Sequence, residues 1–135
     1  MSLASANNAL KAYSRNAIET GIESASPHRL IQMLMEGALA KIASAKGGIQ
    51  RNAIAEKCKD IGSAISIVKG LRMSLDMEKG GEIATNLDDL YDYMERKLLE
   101  ASRTSDVVLL DEVSALLREI KMAWDAIAGH EAAQS

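Results

Sequence analysis

The chain reads as an all-α protein, an antiparallel up-down four-helix bundle with a short extra N-terminal helix acting as a cap. Three observations predict it. Apolar residues recur at alternating steps of three and four over long stretches, the spacing that gathers them on one face of a helix. One proline and no phenylalanine in 135 residues are too few turn and aromatic residues for an all-β domain. The breaks between the periodic stretches are short, and short links fold successive helices back antiparallel. A chain of this length buries about two thirds of its unfolded surface, so a single domain holds its core without a metal or a disulfide.

Leu3, Ala6, Leu10, Tyr13 and Ala17 share one face of a helix from about Ala4 to Glu19. Two of these five are alanine, so the face buries little area at about 25 cal/mol per Å² and is expected to dock weakly. Residues 1–26 are therefore expected to be a loosely docked cap and loop, 27–129 the bundle and 130–135 a tail. Ser26-Pro27 opens the next helix: the serine oxygen accepts from first-turn amides, and proline at the first helical position sacrifices no hydrogen bond. Along it Leu30, Ile31, Leu34, Ala38, Ile42, Ala45 and Ile49 face one way. Gly47-Gly48 weakens its end, at about 1 kcal/mol per glycine relative to alanine, and the turn is placed near Asn52.

The following stripe is Ile54, Cys58, Ile61, Ile65, Val68, Arg72 and Leu75, with Leu71 expected to fill the layer of Arg72 and Lys79-Gly80-Gly81 expected to break the helix. Ile83, Leu87, Leu90, Met94, Leu98 and Ala101 make the next, followed by a link from Ser102 to Ser105. Val113, Leu116, Leu117, Ile120, Trp124 and Ile127 make the last, with Gly129 as its expected C-cap.

A net charge of −3 is no polycation, which argues against nucleic acid as a partner. No apolar run approaches the roughly 20 residues of a membrane span, so no membrane insertion is expected. Neither is a signal peptide evident, which places the chain in the cytoplasm. The lone Cys58 forms no internal disulfide, fits a reducing compartment, and on its stripe is expected to be a small core residue. Residues 28–79 carry nine basic and five acidic side chains, whereas 82–103 and 106–128 are each at −3. Complementarity between the halves of the bundle accounts for this pattern, and a basic patch for an acidic partner is the functional alternative.

No catalytic, cofactor-binding or metal residues stand out. A di-iron bundle needs Glu-x-x-His, yet the residues three before His28 and His130 are Ala25 and Ile127. His28 is expected to be an exposed imidazole, and Asp88, Asp89 and Asp92 a solvated face. No Ser/His/Asp arrangement and no glycine-rich phosphate loop is present, so the chain is not expected to be an enzyme.

What remains is apolar excess. Met33, Met35, Leu39 and Ile67 fall beside the narrow stripes, and the first three with Leu30, Ile31 and Leu34 make the first bundle helix apolar over more than half its circumference. Seven methionines without a phenylalanine suit a soft, adaptable surface. A wide core under the N-terminal helix explains the excess. So does a groove for a partner helix, occupied by the N-terminal helix when the partner is away. If Met35 lines such a groove, Met35→Glu should weaken binding and barely move the melting temperature.

The sequence resembles the flagellar secretion chaperones of the FliS type from about Ala12 to Ala128. The likeness is carried by Ala12-Tyr13, Asn16 and Glu19-Thr20; by Ser26-Pro27-His28-Arg29-Leu30-Ile31-Gln32-Met33-Leu34 with Glu36-Gly37-Ala38 and Ala45; and by Asp76-Met77-Glu78-Lys79-Gly80-Gly81-Glu82-Ile83-Ala84 with Asn86-Leu87. Leu90-Tyr91-Asp92-Tyr93-Met94, Leu98, Ala101, Leu117-Arg118-Glu119-Ile120 and Trp124 complete it. Met35 departs from the family, which commonly has tyrosine there.

The resemblance implies a non-enzymatic, cofactor-free export chaperone. It would bind the disordered C-terminal segment of flagellin, prevent premature polymerisation and deliver flagellin to the flagellar export gate. With the apolar excess, it points to Leu10, Tyr13, Leu30, Ile31, Leu34, Met35, Leu39, Tyr91 and Tyr93 as the groove or the cap contact. A weak homodimer is left open. The alternative is a helical adaptor or regulatory protein for a different partner helix.

Overall fold

The computed structural model describes residues 25–134, with side chains through residue 127. The expected cap helix, with Leu10 and Tyr13, lies outside the described residues. Four helices follow: α1 (Pro27–Gln50), α2 (Ile54–Met73), α3 (Met77–Thr104) and α4 (Val107–Gln134). Each packs on its chain neighbours, and α4 packs back on α1 to close the ring. Side-chain pairs give the directions. Gln32 meets Asp125 and Lys46 meets Asp111; Arg72 meets Asp88 and Lys57 meets Ser105. Numbers rise on one helix as they fall on its neighbour, so α1 is antiparallel to α4 and α2 to α3.

The core runs through all four helices. Leu34, Ala38 and Ile42 from α1 meet Ile61, Val68 and Leu71 from α2, Met94 and Leu98 from α3, and Leu110, Val113 and Leu117 from α4. At the start of α1 the Ser26 Oγ accepts from the Arg29 N–H at 3.1 Å, with Pro27 in the first helical turn. The turn after α1 puts Asn52 at φ 59°, a left-handed conformation that asparagine tolerates. Gly48 does more than weaken the helix end. A Cβ there would stand 3.2 Å from the Lys57 amide nitrogen, so its absence lets α2 start hard against α1.

The stripe of α2 differs from expectation. Its buried positions are Lys57, Ile61, Ala64, Val68, Gly70 and Leu71, in place of Cys58, Ile65 and Arg72 around the shared Ile61 and Val68. Cys58 is exposed rather than a core residue, and Ile54 is exposed as well. Lys57 is only 5% exposed, its ammonium donating to the Ser105 Oγ at 2.9 Å. The reason is position: α2 sits between α1 and α3, and the face it turns to both carries Ile61, Ala64 and Val68. Leu71 does fill the layer of Arg72, which turns outward to Asp88 at 2.6 Å, Asp92 at 3.2 Å and Glu95 at 3.4 Å. Asp88 and Asp92 are therefore paired across the α2–α3 seam. With Lys46–Asp111 at 3.0 Å, these contacts join cations of the first two helices to carboxylates of the last two.

Lys79-Gly80-Gly81 does not end the second bundle helix, which stops at Met73. Asp76 caps a fresh start, its Oδ1 accepting from the Glu78 and Lys79 N–H groups at 3.1 and 3.0 Å. The two glycines lie inside α3, where Gly81 kinks the helix at φ 50°, ψ −126°. Gly129 also fails to act as a C-cap: α4 continues through it to Gln134, taking up the expected tail. One glycine costs a helix only about 1 kcal/mol, too little to stop it.

Candidate functional site

At the end of the bundle where α1 and α3 begin and α2 and α4 finish, an apolar cleft of about 310 Å³ opens. Met35 and Tyr91, 1% and 3% exposed, form its floor with Ala84. Half-buried Ile31, Leu87, Ile120 and Trp124 form the walls, and Leu75 and Asp76 the turn at its edge. Ile83 stands at the mouth, 72% exposed. Leu87 and Leu90 lie four and seven residues further along α3, on the same helix face.

Polar groups tie α1 to α4 beside the cleft. His28 stacks on Trp124 with ring centroids 4.3 Å apart and planes 4° from parallel. The Trp124 Nε1–H donates to the His28 carbonyl at 3.0 Å. His28 is thus half-buried rather than an exposed imidazole, and its buried Nε2 has no hydrogen-bond partner among the described residues. Next to the stack, Gln32 donates to Asp125 at 2.7 Å and Lys121 pairs with Asp125 at 2.8 Å and Glu36 at 3.7 Å. The Lys121 ammonium holds the Asp125 carboxyl below the usual carboxylate range, and Asp125 in turn raises Lys121.

The two candidate tyrosines part company. Burial pushes the Tyr91 hydroxyl up to about 12, whereas Tyr93, two positions on, points to α4 and donates to Glu112. That bond raises Tyr93, with Arg96 and Lys97 lying 5.7 and 5.4 Å from its ring centroid. Of the residues expected at a binding surface, the cleft gathers Ile31, Met35 and Tyr91. Leu34 is core, Leu39 packs half-buried against the core, and Leu30 is half-buried away from the cleft lining.

Met35 lies at the buried floor of the cleft rather than on an exposed margin. It is part of the core, and Met33 is buried too, because α1 packs against both α2 and α4 and spends its wide apolar face on them. Apolar surface is instead exposed on α3 and α4, at Ile83, Leu90, Leu99, Val108 and Met122. Leu75, Ile83, Leu87, Ile120 and Trp124 were readable only as core positions on their stripes. The Gly80-Gly81 pair was the one signal that α3 is interrupted beside them.

Among the described residues no group of three or more His, Cys, Asp or Glu side chains could hold a metal ion, and no helix is long and apolar enough to cross a membrane. The cleft and the exposed aliphatic side chains that continue it offer apolar surface of the kind that receives apolar groups.

Residues 7–131 match the family described as flagellar protein FliS. The chain is 52% identical over 122 residues to flagellar secretion chaperone FliSB of Pseudomonas aeruginosa, covering 90% of this chain and 97% of the relative. It is 44% identical over 119 residues to flagellar secretion chaperone FliS of Salmonella typhimurium, covering 87% and 88%. To the protein of the same description from Vibrio cholerae it is 42% identical over 118 residues, 87% of each chain.

Proposed function

The chain belongs to the FliS family of flagellar proteins, and from that premise we propose that it is a flagellar secretion chaperone that binds flagellin before export. The observation that carries this is relatives described as flagellar secretion chaperones, similar along nearly their whole length. The finer reading is that the occupant is flagellin's disordered C-terminal segment, which folds into helix on the bundle and lays aliphatic side chains into the cleft and along Ile83, Leu87 and Leu90. Bound this way, flagellin is kept from polymerising and is carried to the flagellar export gate. Binding and release need no covalent chemistry, so no catalytic group is called for.

Titration of a flagellin C-terminal peptide into the chain, followed by calorimetry and circular dichroism, tests this reading. Binding with a gain of helix supports it, and no binding by a folded chain overturns it. Ile83→Glu places the contact. Ile83 is 72% exposed, so its substitution should move stability by no more than about 0.5 kcal/mol. Losing one buried aliphatic anchor is worth about 1.5–3 kcal/mol, or roughly a ten- to hundredfold weaker complex. Undiminished affinity would put the peptide elsewhere. Val108→Glu, at the other end of α4 and similarly exposed, reports whether the segment runs the length of the bundle.

A further inference from the structure

We propose that the first turn of α3, Met77–Gly80, is a flap over the apolar cleft, hinged at Gly81, that swings out to admit an apolar side chain. The hinge is set by backbone geometry. Gly81 holds φ 50°, ψ −126°, a combination closed to residues with a Cβ and the one interruption inside α3. The hydrogen bonds that shape the flap run to its own N-cap, Asp76, which moves with it. Asp76 Oδ1 accepts from the Glu78 and Lys79 amides, and the Asp76 carbonyl accepts from the Gly80 amide at 2.8 Å. The turn therefore keeps its shape when it moves. Residues 76–79 and 81–83 are all exposed and only Gly80 is half-buried, so the flap is held to the bundle mainly at its two ends, by Leu75, which packs half-buried against the core, and by Gly81.

The flap also borders the cleft. Asp76 and Gly80 lie on one side of the hinge and Ile83 and Ala84 on the other, and all four line the cavity, so rotation at Gly81 changes its width. The closed position depends on Gly80, because a Cβ there would stand 2.7 Å from the Ala84 Cβ. Across the hinge, the Thr85 hydroxyl donates to the Gly81 carbonyl at 3.1 Å.

The hinge stands whichever partner enters, so its test needs none. Nitrogen-15 relaxation dispersion on the free full-length chain should find exchange on the microsecond-to-millisecond scale at Gly80–Thr85 and at the Trp124 indole N–H, and none at Ile61–Val68. Flat profiles at Gly80–Thr85 overturn the proposal. Trp124 is the chain's single tryptophan and lines the cleft, which makes it a second reporter. Gly80→Ala, by lifting the flap from Ala84, should raise acrylamide quenching of Trp124 about twofold while the helical circular dichroism stays unchanged. Unchanged quenching in that folded variant would also overturn it. Should Gly80→Ala unfold, the dispersion measurement on the native chain decides alone.

Discussion

Met35 and Ile83 border the same cleft and should answer substitution in opposite ways. Met35 is 1% exposed, so Met35→Ala is expected to cost about 2–5 kcal/mol in urea unfolding, and Met35→Glu more because it buries a charge. Ile83→Glu should leave the unfolding midpoint where it is and act on binding alone. Tyr91 carries a pH signature. Its hydroxyl titrates at about 12 in the folded chain against 10.0 when unperturbed, since burial disfavours the phenolate. A raised folded value means the contribution is intact below pH 10 and is lost as pH climbs towards 12. At about 1.4 kcal/mol per pH unit the loss comes to roughly 3 kcal/mol. Denaturant melts at rising alkaline pH should show this fall in the native chain and a clearly smaller one in Tyr91→Phe.

Glycine means different things on different helices. Gly62 lies on the exposed side of α2 with nothing within 4 Å of an added Cβ. Gly62→Ala should therefore stabilise by about 0.5–1 kcal/mol, the ordinary propensity gain. Gly48→Ala has the same propensity gain but drives its Cβ to 3.2 Å from backbone of α2, so thermal melts should show it lowering stability. A rise in melting temperature for Gly48→Ala would mean that the α1–α2 turn gives way easily. The helix starts follow simpler rules. Ser26→Ala removes the one side-chain cap of α1 and should cost about 1 kcal/mol.

For the molecule as a whole, part of the segregated charge is used between the helices. Arg72 joins three carboxylates of α3, and Lys46 joins Asp111 of α4. A partner held in the cleft would bind chiefly by apolar contact, because the cleft is lined mainly by aliphatic and aromatic side chains. The flagellin segment should still bind at about 0.5 M salt, where exposed pairs are largely screened. Its association should also show a large negative heat-capacity change. An affinity that collapsed with salt, with little heat-capacity change, would point to unpaired lysines of α1 and α2 instead. Calorimetry at two salt concentrations and several temperatures separates the two.

Periodicity, one proline and short breaks were enough to determine four helices, their antiparallel order and the Ser26 cap, because these depend on local spacing and on chain connectivity. The ordered motifs from Tyr13 to Trp124 were enough for the family likeness. Which side of each helix is spent was decided by tertiary packing. The stripe of α2 could be drawn through Cys58 or through Lys57, and the close packing of α2 on α1, admitted by Gly48 beside the Lys57 backbone, selects Lys57. Met35 read as surplus on α1 because the burial a helix receives depends on how closely its neighbours pack, and α2 lies hard against α1, as the contact at Gly48 shows. The cleft was invisible in the sequence because it gathers residues from α1, α3, α4 and the turn after α2, and opens where Gly81 turns the first turn of α3 aside, a backbone conformation that the letter G permits but does not require.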